Sequence, residues 1–143
     1  MQHPSDSSEQ RAIEVKVLRA LEFELAVTFS DANADPRLRG LKVDGFAPGP
    51  PPLLVEVFAH VGPSKSGQRH KVANDMAKLL LAERRLAVPC RKVIAVIDRV
   101  AIAHHKRSWI GEFAEGFGVE VRVVSGFEAM HEAMLAVQGR QRR

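Results

Sequence analysis

The sequence predicts a single α/β domain, with one mixed β-sheet and helices on both of its faces. Three observations carry that expectation. Apolar runs of strand length recur at 41–46, 53–61, 93–97 and 119–124. Segments with helical spacing stand between or beside them, most clearly at 68–85. The early strands follow one another as a meander and the later ones alternate with helices, which mixes antiparallel with parallel pairing. The chain has 143 residues, 45% of them hydrophobic, so one domain with its own core is expected.

Residues 1–7 are polar and read as a disordered lead-in. Ser7 or Ser8 can cap a helix beginning near Glu9, in which Ile13, Val17, Leu18, Leu21 and Leu25 recur at helical spacing. From Glu22 the pattern becomes alternating, with Phe23, Leu25, Val27 and Phe29 on one side, which reads as a first strand. The stretch 31–39 is rich in turn formers. Residues 41–46 form a short strand that carries Asp44, and Gly49-Pro50-Pro51-Pro52 ends it stiffly. The strand at 53–61 is β-branched and aromatic around a single acid, Glu56. The loop 62–67 follows, then the helix at 68–85 with Val72, Met76, Leu79 and Leu80 on its apolar side.

The run V-I-A-V-I within 92–103 suits a strand covered on both faces. His104-His105-Lys106-Arg107 reads as a basic turn able to touch a phosphate backbone, or simply as a solvated turn. Ser108 caps a helix holding Trp109, Ile110, Phe113 and Phe117, with Trp109 expected in the core and Gly118 as the stop. Residues 119–124 form the last strand, 127–138 the last helix, and 139–143 a basic tail whose Arg140, Arg142 and Arg143 add salt-sensitive affinity for polyanions. The domain thus spans 8–138.

Composition excludes several classes. Lys and Arg number 21 against 17 Asp and Glu, a net charge of +4 that permits nucleic acid without demanding it. The single cysteine, Cys90, allows no intrachain disulfide and fits a reducing, cytoplasmic setting; beside Pro89 it reads as a small buried thiol and not a nucleophile. The N-terminus lacks the apolar stretch of a signal peptide, and no run approaches the roughly 18 residues a membrane span needs. The loop G-P-S-K-S-G lacks phosphate-loop spacing, and the six histidines lack zinc spacing.

The chemistry concentrates between Asp44 and Lys78. Two carboxylates on neighbouring strands, Asp44 and Glu56, can hold a divalent cation, and a nearby amine can stabilise an anion bound to it. Gln68, Lys71 and Asp75 fall on one side of the helix that follows. Each has a plainer reading. Asp44-Gly45 is a common turn pair, and Lys71 with Asp75 can be a solvent-facing pair. Glu56 resists such a reading, because an unpaired carboxylate in a central apolar strand costs several kcal/mol.

With these residues in this order, the chain resembles the PD-(D/E)XK nuclease superfamily, of restriction-endonuclease-like fold. The stretch E-V-F-A-H-V-G…G-Q-R-H-K-V-A-N-D-M-A-K-L-L is similar to a divergent group of small bacterial members. The resemblance implies an α-β-β-β-α-β core followed by a further helix, strand and helix. It gives Asp44 and Glu56, with the carbonyl of Val57, the binding of Mg²⁺ or Mn²⁺. The superfamily's strand lysine falls on Phe58 here, a departure. Members that take the amine from the following helix point to Lys71, with Lys65 as the second choice. Gln68 would bind phosphate or water, Asp75 would position Lys71, and Glu14 or Glu22 would add a first-helix carboxylate. His60, on the face of Glu56, lines the site or packs at its rim.

The implied function is metal-dependent hydrolysis of nucleic acid, DNA foremost. A homodimer or a targeting partner protein would supply what so short a chain lacks. The alternatives are an inactive nuclease-fold subunit that binds nucleic acid or assembles with others, and an α/β domain for a small-molecule or protein ligand.

Overall fold

A computed structural model describes residues 4–63 and 66–131. Its elements in order are α1 (Pro4–Leu25), β1 (Gly45–Ala47), β2 (Leu53–Phe58), α2 (Ser66–Leu86), β3 (Arg91–Val96), α3 (Arg99–Lys106), α4 (Trp109–Gly116) and β4 (Val119–Val123), with short 3₁₀ turns at Ala32–Ala34, Pro36–Leu38 and Glu128–Met130. The sheet has the order β1-β2-β3-β4; β1 runs antiparallel to β2, and β2, β3 and β4 are parallel. The expected mixed sheet flanked by helices is therefore present.

Alternation within the strands sorts the core into two layers. Leu54, Phe58, Ile94 and Val96 face α2, α3 and α4, where they meet Met76, Leu79, Ile102 and Ile110. Leu53, Val55, Val57, Val93 and Ala95 face α1 through Ile13, Val17 and Leu21. Both faces of β3 are fully covered, as the V-I-A-V-I run requires.

Several elements depart from expectation. Helix α1 begins at Pro4, not near Glu9, and continues through Leu25, where a first strand was expected. Ala26 closes it in the left-handed region at φ 53°, and Val27 N bonds back to Glu22 O at 3.0 Å. Phe23 is left 90% exposed. Only Ser30 reaches the sheet, through a single antiparallel bridge to Phe46. The helix wins because Ile13, Val17 and Leu21 already commit it to the sheet face, while the alternating set divides between its last turn and the connection.

Strand β1 starts after Asp44, so that residue precedes the ladder. Asp44-Gly45 is no turn pair either, because Gly45 sits in register with Val55. A Cβ on Gly45 would lie 3.1 Å from Leu18 Cδ2 and 3.2 Å from Phe29 Cε1, so glycine there lets α1 and Phe29 close on the sheet.

Helix α3 was not anticipated. Asp98 accepts from Val100 N at 3.0 Å and starts it, and Ala101, Ile102 and His105 turn inward. The expected basic turn is therefore the end of a helix, with His105 buried edge-on against Phe58. Ser108 does cap α4 by accepting from Ile110 N. Trp109 is 65% exposed, which corrects its assignment to the core; Ile110 and Ala114 fill that place. The expected last helix is described only as far as His131. Most of it, the basic tail with Arg140, Arg142 and Arg143, and the first residues of the chain lie outside the described residues. Among the described residues no helix is long and apolar enough to cross a membrane.

Candidate functional site

Asp44 and Glu56 meet where the β1–β2 ladder stops. Gly45 pairs with Val55, so Asp44 and Glu56 stand opposite each other one step further on. There the side chains take over from the ladder. Asp44 N donates to Glu56 Oε2 at 2.7 Å, and Val57 N donates to Asp44 Oδ2 at 2.8 Å. Each carboxylate satisfies a main-chain N–H of the opposite segment, which fixes both. The N–H and C=O of one strand residue point the same way across the sheet, so the Val57 carbonyl also faces Asp44.

Glu56 lies between Leu54 and Phe58 on β2 and shares their face toward α2. It is 1% exposed. Lys78 of α2 sets its ammonium against Glu56 Oε1 and also donates to Lys42 O at 3.3 Å. Lys78 is the residue that sequence reasoning missed. It lies seven positions after Lys71, hence on the same helix side, and that spacing was the available signal.

Lys71, from the first turns of α2, donates to Asp75 Oδ2 at 2.7 Å. The pair is not wholly solvent-facing, because Asp75 is buried. Burial works against the Lys71 ammonium, but the bond and charge of Asp75, with Asp44 and Glu56 behind them, hold its pKa above the ordinary value. Glu14 reaches the same group from α1. Burial first, then the charges of Asp44 and Asp75, raise its carboxyl above the ordinary range, while Lys71 opposes the shift. One cluster therefore gathers Glu14, Asp44, Glu56, Lys71, Asp75 and Lys78 from both helices and the sheet margin.

Other expected residues stand apart. Glu22 accepts from Phe29 N at 2.8 Å and secures the end of α1, so Glu14 is the first-helix acid that faces the cluster. His60 is buried, stacks on Phe58 with ring centroids 5.7 Å apart, and pairs with Pro63 O at 3.3 Å, a packing role. Gln68 sits half-buried one turn before Lys71. Lys65 lies outside the described residues. Burial and the Glu83 carboxylate push the Cys90 thiol above its ordinary value, the wrong direction for a nucleophile.

Among the described residues no three Asp, Glu, His or Cys side chains converge closely enough to hold a metal ion on their own. The oxygens that could share one are those of Asp44, Glu56 and the Val57 carbonyl. They form a hard-donor set, and the Lys78 ammonium already rests against one of them. Oxygen donors of this kind suit a divalent cation that keeps part of its water shell, provided Lys78 gives way at Glu56 Oε1.

Glu56 gives the cluster a pH signature. Burial, then the charge of Asp44, raise its pKa from 4.5 to about 8, while Lys78 and the Asp44 N–H pull the other way. A carboxyl raised on folding holds its proton longer in the native state. Its contribution is fully present below the unfolded pKa and is lost as pH rises through the folded one. Between about pH 5 and about pH 8.5, wild type is expected to lose a few kcal/mol that Glu56→Gln keeps. Urea unfolding of both proteins at the two pH values reads the difference, and parallel curves would refute it.

No protein-family model, curated protein or solved structure matches the chain.

Proposed function

We propose that this domain hydrolyses phosphodiester bonds of nucleic acid, DNA foremost, with a divalent cation at Asp44 and Glu56. The observation that carries the reading is the crossed pair itself: two carboxylates each locked by a main-chain N–H of the opposite segment, beside the Lys71–Asp75 couple and Glu14. The order of elements also supports it. Here α1, β1, β2, α2 and β3 follow one another as a restriction-endonuclease-like core would have them, with a single bridge at Ser30 in place of its first strand.

Asp44, Glu56 and the Val57 carbonyl would hold Mg²⁺ or Mn²⁺. When bound, the ion supplies a more acidic water and neutralises charge on the phosphate. Asp75 fixes the Lys71 ammonium, whose half-exposed side chain can aim a proton donor at the phosphate or the attacking water. Gln68, one turn earlier, would add a neutral donor. The crossed main-chain bonds keep both carboxylates from swinging, so the reorganisation that binding requires falls on Lys78. One domain carries one such site, so cutting both strands of a duplex needs a second copy, a partner or a second visit.

A second reading is favoured by Lys78. Its ammonium occupies Glu56 Oε1, and the other Glu56 oxygen is taken by Asp44 N. A site sealed in this way belongs to an inactive nuclease-fold protein that binds nucleic acid or assembles with others.

Cleavage of plasmid and single-stranded DNA with Mg²⁺, Mn²⁺ or EDTA separates the two readings. Wild type is expected to cut only with the divalent ion, and Asp44→Asn to cut on the order of 10²-fold slower or worse. DNA binding without cutting under any ion would transfer the protein to the second reading. Neither binding nor cutting would overturn both.

A further inference from the structure

We propose that the seam between residues 37–42 and α2 is a track for the sugar–phosphate backbone of nucleic acid, leading to the Asp44/Glu56 site. The inference rests on the phosphodiesterase reading and adds where the substrate lies. Lys71, Lys78 and Arg85 are spaced by seven residues, about 20° short of two full turns, so they line one side of α2. The loop runs antiparallel beside them. Lys78 Nζ donates to Lys42 O at 3.3 Å, and Arg85 Nη1 donates to Arg39 O at 3.1 Å and to Arg37 O at 3.5 Å. Residues 39–41 turn beside the helix, with Leu41 N bonding back to Leu38 O at 3.2 Å, and the Lys78 and Arg85 bonds pin that turn against α2. Lys42 thus stands beside Lys78, and Arg39 beside Arg85.

The seam therefore carries cations from both sides, extending away from the site. Lys71, Lys78 and Arg37 are already paired, with Asp75, Glu56 and Asp35, so the charge available to a ligand comes from Arg39, Lys42 and Arg85. Arg39, Lys42 and Arg85 are exposed. Arg85 spends one nitrogen on the loop carbonyls and keeps its remaining donors for a ligand. From Lys71 to Arg85 the helix rises about 21 Å, the length of about six phosphates of one duplex strand. Cations spaced along the helix and the adjoining loop, ending at paired carboxylates, suit a regular polyanion of that repeat better than an irregular acidic protein surface.

The test is fluorescence anisotropy with a labelled oligonucleotide of about 12 nucleotides, single-stranded and duplex. It is run in Ca²⁺ at several KCl concentrations, on the full chain. Arg39→Gln with Lys42→Gln removes two track charges. Lys16→Gln with Arg19→Gln removes two exposed charges of α1 as a control. Circular dichroism melting confirms that both variants are folded. The track variant is expected to lose at least about tenfold in affinity near 100 mM salt, with a salt slope flatter by about 1.4 to 1.8; the control should lose less than about threefold.

Equal loss in both variants, or a greater loss in the control, would overturn the track. So would displacement of the DNA by poly-glutamate as readily as by unlabelled DNA. If wild type binds and cuts while the track variant binds unchanged, the track falls and the phosphodiesterase reading stands. If wild type neither binds nor cuts, both fall.

Discussion

Glu56→Gln is expected to lower metal-dependent cleavage on the order of 10²- to 10³-fold while leaving the fold in place. Activity falls because an amide oxygen lacks the charge needed to hold a divalent cation in competition with water. The fold survives for three reasons. The Gln oxygen can still accept from Asp44 N, which Glu56 Oε2 now engages at 2.7 Å. The side-chain volume is unchanged, so Leu54 and Phe58 keep their packing. Lys78 loses its carboxylate partner but keeps the Lys42 carbonyl, and its side chain is 32% exposed and long enough to carry its ammonium into water. With its pKa near 8, Glu56 is mostly protonated near neutral pH, so the substitution deletes little of an ion pair there and strands no buried charge. Initial rates on plasmid DNA, with a urea melt of the same preparation, check both halves. Unchanged cutting by a folded Glu56→Gln would remove Glu56 from the chemistry.

The parts of this site that could be read in the sequence are those fixed by local pattern. Glu56 interrupts an apolar strand that pairs on both edges, and burial makes an acid there conspicuous. Lys71 and Asp75 are one helical turn apart, and that pairing follows from spacing alone. What pattern cannot give is which cation meets Glu56. Lys71, Lys78 and Lys65 were all on or beside the right helix, and only the depth at which α2 crosses β2 brings Lys78 to Oε1. The choice of Glu14 over Glu22 depends in the same way on tertiary placement, since the end of α1 recruits Glu22 to Phe29 N. The missing first strand and the unforeseen α3 share a cause. Short apolar stretches satisfy helical and strand periods alike, and the neighbouring layers decide between them.

Replacing Lys78 by methionine separates its two possible duties. Methionine keeps the stem that packs against the strand and removes only the ammonium that faces Glu56 and Lys42 O. The stability cost should depend on pH in a definite sense. Below about pH 5 Glu56 holds a proton in the native state, because its pKa lies near 8, so the ammonium faces a neutral carboxyl and its loss matters little. Above about pH 8.5 the carboxylate is left buried without its counter-charge, and the variant should be about 2–3 kcal/mol less stable than wild type. That figure sits at or below the low end for a broken buried pair because Lys78 is itself partly solvated.

The effect on metal runs the other way. A divalent ion on Glu56 must share or displace the ammonium at Oε1, and two cations about 4 Å apart repel by several kcal/mol even at an effective dielectric of about 20. Lys78→Met should therefore lower the Mg²⁺ concentration for half-maximal cleavage by at least about tenfold, since part of that repulsion is relieved in wild type when the lysine swings outward. Magnesium titrations of the cleavage rate measure this directly, and the maximal rate assigns the catalytic amine. A maximal rate close to wild type leaves that role with Lys71. A drop beyond about 10²-fold, with Lys71→Gln near normal, moves it to Lys78 and makes this lysine the counterpart of the one that Phe58 replaces on the strand.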